Sequence, residues 1–272
     1  MRYAPARAEI PYNEITPPVD LAPYVDRLWM RTTVRREPGR VHRVLPDGCV
    51  DVIVHVGRGS AALVGAMTRA LEVADDPAEL VAVRFKPGTA IALTGCSLAE
   101  LTDRDADLVD LGIADALADR IADAGARAGS LARIAALVAW LRGRLAGAAP
   151  PDPRVARAVA LLSAGERVDR VAGALGVTRQ HLARGFRRAV GVTPKELARI
   201  ARMQRAAAAI GRGGDLARLA VDLGYFDQSH LSHDVRALTG VTPATLAAER
   251  PIALSHLYGQ VPFLQSPARR AP

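Results

Sequence analysis

The sequence predicts an α+β chain of more than one domain. It comprises a β-rich N-terminal domain, a helical connector, and an all-α C-terminal domain in which two helix-turn-helix motifs are joined by a long helix. Three observations predict this. Alternating, β-branched segments are confined to the first hundred residues, helical periodicity takes over from about residue 110, and one pattern of helix, tight glycine turn and helix occurs twice, about fifty residues apart. A chain of 272 residues also suits two domains better than one.

In the N-terminal domain, residues 26–34 (DRLWMRTTV) and 49–56 (CVDVIVHV) alternate with period 2 and read as strands, with Pro46-Asp47-Gly48 as a hairpin turn. VAVRF (81–85), ended by Pro87-Gly88, reads as another strand. Cys49, Asp51 and His55 fall on one face of their strand, as metal ligands or a small catalytic cluster would. The plainer reading is a half-buried strand whose Asp51 pairs with an arginine such as Arg43. Whether His42 joins that face depends on the hairpin: a two-residue turn puts it there, a three-residue loop puts it opposite. Arg84 and Lys86 face either an anionic effector or solvent at a strand end.

DLGIADALADRIADA and SLARIAALVAWLRGRL are helical in pattern, and Trp140 in the second belongs either to an interdomain or dimer helix or to a cap on the sensor core. GAAPPDP (147–153) cannot continue a helix and marks a boundary. The expected division is 1–128 for a sensor or oligomerisation domain, 129–152 for connector and linker, 153–250 for the paired motifs, and 251–272 for a tail.

Composition narrows the function. Two cysteines are too few for a disulfide framework or a structural zinc site. No basic-then-apolar leader and no run of about 18 apolar residues is present, so the chain reads as soluble and cytoplasmic. No Ser/His/Asp order, phosphate loop or CxxC appears, so the chain reads as no enzyme, with no catalytic residue, metal or cofactor assigned. The net charge of +8 is uneven: residues 1–150 hold 18 Lys and Arg against 19 Asp and Glu, residues 151–272 hold 18 against 9. An excess of arginine in one half is the footprint of a polyanion partner.

The repeat says how that partner is met. Val168, Val171, Ala172 and Leu175 have helical spacing, Gly176 turns the chain, and Thr178 is placed to cap the next helix. That helix buries Leu182 and Phe186 and presents Arg179, Gln180, Ala183, Arg184, Arg187 and Arg188 on its other face, which is a recognition helix. Arg184 suits guanine O6 and N7 and Gln180 suits adenine; Ala183 can touch a thymine methyl, and Arg179, Arg187 and Arg188 suit phosphates. Thr193-Pro194-Lys195-Glu196 spells a capping box for a linking helix that runs to Gly211.

Asp215 then caps a second copy. Leu216, Leu219, Ala220 and Leu223 repeat the apolar positions, the turn is one residue longer, and the outer face offers Gln228, Ser229, His230, Ser232 and His233. His230 mirrors His181, so a shared packing or backbone-bonding role competes with base contact. Gly185, within the first recognition helix, points to close approach by a neighbouring helix. The linking helix spans about 25 Å, against about 34 Å between successive major-groove entries on one DNA face.

Residues 155–250 resemble the paired helix-turn-helix domain of the AraC/XylS transcriptional regulators. Carrying the resemblance are V-x-x-V-A-x-x-L-G-V-T-x-x-H-L-x-R-x-F-R, both G-V-T-P segments, R-M-x-x-A-x-x-A-I, and L-A-x-x-L-G-Y-x-D-Q-S-H-L. R-V-L-P-D-G-C-V-D-V-I and V-R-F-K-P-G are similar to an uncharacterised sensor domain of the same family. The resemblance implies a sequence-specific bacterial transcription regulator, activator or repressor, with a cupin-like N-terminal domain. Its partners would be double-stranded DNA, a small-molecule effector, RNA polymerase in the case of an activator, and a second copy of the chain, with no membrane. Where the family carries S-x-F-x-R-x-F, this chain has His233, Asp234 and Val235, which implies weaker or pH-sensitive engagement of the second half-site. The rival readings are a DNA-bending protein without sequence choice and a metal-dependent N-terminal enzyme.

Overall fold

The computed structural model describes residues 12–33, 41–74, 78–113, 116–213 and 215–249. Among these, eight strands come first: β1 (Tyr12–Ile15), β2 (Val25–Thr33), β3 (Val41–Val44), β4 (Val50–His55), β5 (Ser60–Val64), β6 (Leu71–Ala74), β7 (Ala78–Phe85) and β8 (Asp105–Asp107), the last preceded by a one-turn helix α1 (Ile91–Thr94). Six of them form one antiparallel sheet in the order β1-β2-β7-β4-β5-β8, while β3 and β6 make a separate two-stranded ribbon.

The centre of the large sheet follows from its residues. Val50, Val52 and Val54 of β4 are fully buried and lie beside Phe85, Val83 and Val81 of β7, and Leu28 of β2 continues the same row across Val83. On the opposite face Asp51 is also buried, so β4 is covered on both sides and belongs inside the sheet. This corrects the hairpin expected at Pro46-Asp47-Gly48. β4 pairs with β5 and β7, and β3 pairs with β6 through Val41↔Ala74 to Val44↔Leu71. A Pro-Asp-Gly corner can turn a chain between sheets as well as within a hairpin, and the buried strand had better partners on both edges. The register question for His42 thereby lapses, and its side chain lies outside the described residues.

The helices are α2 (Leu117–Ala128), α3 (Ser130–Leu145), α4 (Pro153–Ser163), α5 (Val168–Ala174), α6 (Arg179–Val190), α7 (Pro194–Ile210), α8 (Leu216–Asp222), α9 (Gln228–Thr239) and α10 (Pro243–Glu249). α2 and α3 cover the inner face of the sheet, with Ile121, Leu137 and Leu141 fully buried and Trp140 inside the same core. Arg133 of α3 forms an ion pair with Glu79 of β7, which ties the connector to the sheet. The linker is held too: the Tyr24 hydroxyl donates to the Ala148 and Ala149 carbonyls at 3.3 and 3.2 Å. Asp152 caps α4, whose first residue is Pro153.

That core does not stop at the linker. Buried residues of the sheet, of α2 and α3, and of α4 to α6 (Leu162, Val171, Phe186, Val190) form one continuous cluster. A second cluster is built around Ile200, Met203 and Ala206 of α7 and Leu231, Val235 and Leu238 of α9. It also contains Leu45, from the corner between β3 and β4. No helix among the described residues is long and apolar enough to cross a membrane. The expected tail, 251–272, lies outside the described residues.

Gly185 differs from expectation. It is exposed, and a Cβ built there meets nothing within 4 Å, so no neighbouring helix approaches it. In an α-helix interior such a glycine costs backbone entropy with no compensating contact. Gly185→Ala is therefore expected to stabilise the fold by about 0.5–1 kcal/mol, measured by urea unfolding of the full chain.

Candidate nucleic-acid interface

The first reading head is α5, its turn, and α6. Leu175 ends α5, Gly176 takes φ +66°, and the Thr178 hydroxyl accepts from the His181 N–H at 3.2 Å, so the cap expected from the sequence is in place. Leu182, Phe186, Ala189 and Val190 face inward. Arg179, Gln180, Arg184, Arg187 and Arg188 are exposed on the outer face, with His181 beside them and Ala183 half-buried. Arg179 shares Asp169 of α5 at 3.0 Å, an exposed pair that yields readily to a phosphate.

The second head repeats the design with α8 and α9. Gly224 takes φ +74°, and Asp227 replaces threonine as the cap, accepting from the His230 N–H at 2.7 Å. Gln228, Ser229, His230 and His233 are exposed and Ser232 is half-buried. His230 is partly committed inward: its Nδ1 accepts from the Phe226 N–H at 3.4 Å, and its ring meets Tyr225 edge-on at 5.3 Å between centroids. His181 has only the backbone role of receiving its cap.

α7 joins the heads. Its capping box is complete, with Thr193 Oγ1 accepting from Glu196 N–H and Glu196 Oε2 accepting from Thr193 N–H at 2.7 Å. Its 17 residues span about 25 Å. A group that sequence reasoning passed over fixes α9 on this helix. Asp234 is 3% exposed, and its carboxylate accepts from Arg199 and, at 3.4 Å, from Arg202, both on α7. The Arg202 guanidinium lies 4.3 Å from the centroid of the Tyr225 ring, and burial pushes that phenol's pKa well up. In the sequence Asp234 is visible only as a departure from the expected pattern. The available signal was the pair of arginines one turn apart on α7 facing it.

The N-terminal part grips both heads. At the first, the Thr102 hydroxyl donates to the Gly191 carbonyl at 2.6 Å, just past α6. At the second, the corner between β3 and β4 is wedged against α7. Leu45 is buried in that head's core, buried Gln204 donates from Nε2 to the Pro46 carbonyl at 2.9 Å, and Gly48 takes φ +76° where a Cβ would sit 2.5 Å from Leu197. Only glycine satisfies both that angle and that approach. Arg43 reaches the far end of α9, donating to the Thr239 carbonyl at 3.0 Å and to Glu249 of α10 at 3.1 Å, and pairing with Glu72 of β6 at 2.8 Å. The Ala70 N–H adds a bond to the Leu238 carbonyl at 2.7 Å.

Behind the wedge, Arg84 binds Asp47 at 2.7 Å and Asp51 at 3.0 Å, and Trp29 Nε1–H donates to Asp51 at 3.3 Å. This replaces two earlier readings: Asp51 pairs with Arg84 and not Arg43, and Arg84 is neither solvated nor open to an effector. Burial holds the Cys49 thiol well above its ordinary pKa. Cys49, Asp51 and His55 do not converge, and among the described residues no group of three potential metal ligands comes together.

Comparison with known proteins agrees with this geometry. Residues 171–249 match the model of a helix-turn-helix domain, and residues 13–107 match that of a domain of unknown function. No curated protein matches the chain. A transcriptional regulator with an AraC-type DNA-binding domain from Chromobacterium violaceum is 25% identical over 36% of this chain and 93% of its own, with a TM-score of 0.35. The C-terminal domain of AraT, a response regulator from Geobacillus stearothermophilus, is 24% identical over 38% of this chain and 89% of its own, at 0.35. ToxT from Vibrio cholerae is 11% identical over 88% of this chain and 98% of its own, at 0.39.

The fold and its outer faces define a helix-turn-helix DNA-binding protein. The paired heads on one linking helix form a helix-turn-helix domain similar to those of AraC-type regulators, and they follow an N-terminal β-sheet domain of unknown function.

Asp234→Ala should destabilise the chain by about 2–3 kcal/mol, below the range for a fully buried pair because Arg199 can rehydrate. Chemical denaturation monitored by circular dichroism measures it.

Proposed function

We propose that the chain reads two adjacent major-groove half-sites, one with each head, and that an effector at the N-terminal domain controls the reading. The observation that carries this is the pair of outward-facing helices α6 and α9, each capped at the end that enters the groove and both mounted on one rigid helix. In this reading Arg184 binds guanine, Gln180 binds adenine, and Ala183 contributes at most a methyl contact. Arg179, Arg187 and Arg188 hold phosphates. Gln228, Ser229, His230, Ser232 and His233 address the second half-site with hydrogen bonds weaker than those of arginine.

Control follows from the grip. The N-terminal part touches the second head through Arg43, Leu45 and the Pro46 carbonyl, so a ligand that favours one arrangement of the β3–β6 ribbon changes how α9 is presented. The proposed division is a sensor over 1–128, a connector over 129–152 and a DNA-binding domain over 153–250.

Selection of bound fragments from a sheared genomic library should return a motif of two half-sites. Arg184→Ala should weaken binding to that motif by about 1–3 kcal/mol and change binding to unrelated DNA little. Equal loss on every sequence would identify a DNA-bending protein instead. Arg43→Ala should speed amide hydrogen exchange at the end of α9 and in α10 by about ten- to hundredfold, the worth of a charged hydrogen bond, and leave α6 unchanged. Unchanged exchange in α10 would remove the proposed route of control.

A further inference from the structure

The second turn is one residue longer than the first, and the extra residue has its own position. Leu223-Gly224 matches Leu175-Gly176, buried Tyr225 fills the place of Val177, and Asp227 caps as Thr178 does. The residue left over is Phe226, and it is 90% exposed. No other phenylalanine, leucine, isoleucine or valine in the described part of the C-terminal helices is as open; Val221, at 71%, comes next.

Phe226 is nevertheless on a fixed main chain. Its N–H donates to His230 Nδ1, Tyr225 before it is pinned beneath Arg202, and Asp227 after it caps α9. A phenyl ring on an anchored main chain therefore stands one residue ahead of the cap, beside Gln228 and Ser229. Recognition helices meet base edges with their N-terminal residues, so this is the end that enters the groove. The face it extends has fewer cations: α9 presents Gln228, Ser229, His230, Ser232 and His233 with one exposed arginine, Arg236 in its last turn, where α6 presents Arg179, Arg184, Arg187 and Arg188. A phenyl ring cannot pair with a phosphate or hydrogen-bond to a base edge. The apolar feature available to it in the major groove is the C5-methyl group of thymine.

We propose that Phe226 reads a thymine methyl in the second half-site, supplying specificity that the missing arginine does not. This rests on the reading that α9 enters the major groove.

The test uses the full chain and duplexes carrying its selected motif, with each thymine of the second half-site replaced in turn by deoxyuridine, which removes only the methyl. One replacement should weaken wild-type binding about fourfold, the worth of one buried methyl. Phe226→Ala should bind the parent duplex at least that much more weakly and be indifferent to that replacement. Its thermal unfolding should match wild type, because the side chain packs against nothing. Three results would overturn the contact while leaving the two-head reading intact. These are wild-type affinity in Phe226→Ala, undiminished sensitivity of Phe226→Ala to the same deoxyuridine, and an equal loss on random DNA, which would place the ring on the sugar–phosphate backbone. A wild-type chain that selects no motif overturns the two-head reading and the thymine contact together.

Discussion

The seating of the Leu45–Gly48 corner on α7 is the contact on which the arrangement of the molecule depends. α7 supplies core residues to the second head and packs against the first, so whatever fixes α7 fixes both. Burying the Leu45 side chain is worth about 1.5–3 kcal/mol. Next to it, the Gln204 amide is buried and would be costly without a partner, which the Pro46 carbonyl provides. Only the seated corner satisfies that amide. Asp47 and Asp51, held by one arginine, stiffen the corner from behind, so it meets α7 already shaped.

The two heads are attached by different physics. The first shares an unbroken apolar core with the sheet and the connector helices, so separating it would expose a large area to water. The second has a core of its own and is attached by Leu45 and a few directed polar bonds: Arg43 to Thr239 and Glu249, Ala70 to Leu238, Gln204 to Pro46. Directed bonds at an interface can be exchanged for water one by one, whereas a shared core gives way as a whole. Of the two heads, the second is therefore the one whose position a modest differential binding energy can shift.

What was legible in the sequence was local. Thr178, Thr193 and Asp215 cap the helices they were expected to cap, because a cap involves residues two or three positions apart and leaves a short signature. The outer faces of α6 and α9 were legible for the same reason, since helical period assigns a face without knowing the neighbour. The failures were all non-local. Pro46-Asp47-Gly48 has the same turn chemistry in a hairpin and in a corner between sheets, and only the burial of β4 on both faces decides between them. Arg43 was assigned the wrong carboxylate and Arg84 was left facing solvent or an effector, because the partners of both come from elements distant in the chain. Leu45 carried no signal of its own in the sequence, yet it packs against helices more than 150 positions away in the chain. Asp234 looked like a departure from a pattern, and it is a buried anchor.

The anchoring of α9 bears on how DNA would be engaged. A helix of about 25 Å holds the heads closer than the roughly 34 Å between successive groove entries on straight DNA. Either the protein stretches or the DNA curves toward it. Stretching would move α9 away from α7, stripping Asp234 of two arginines and opening a packed cluster. Smooth bending of a short site costs on the order of 1–6 kcal/mol and depends on sequence. Breaking the Asp234 anchor alone costs a comparable amount, and exposing Leu231, Val235 and Leu238 adds to it. In the two-head reading the DNA therefore yields first. Part of the chain's sequence preference would then come from how easily the spacer between half-sites curves, at positions that neither α6 nor α9 touches.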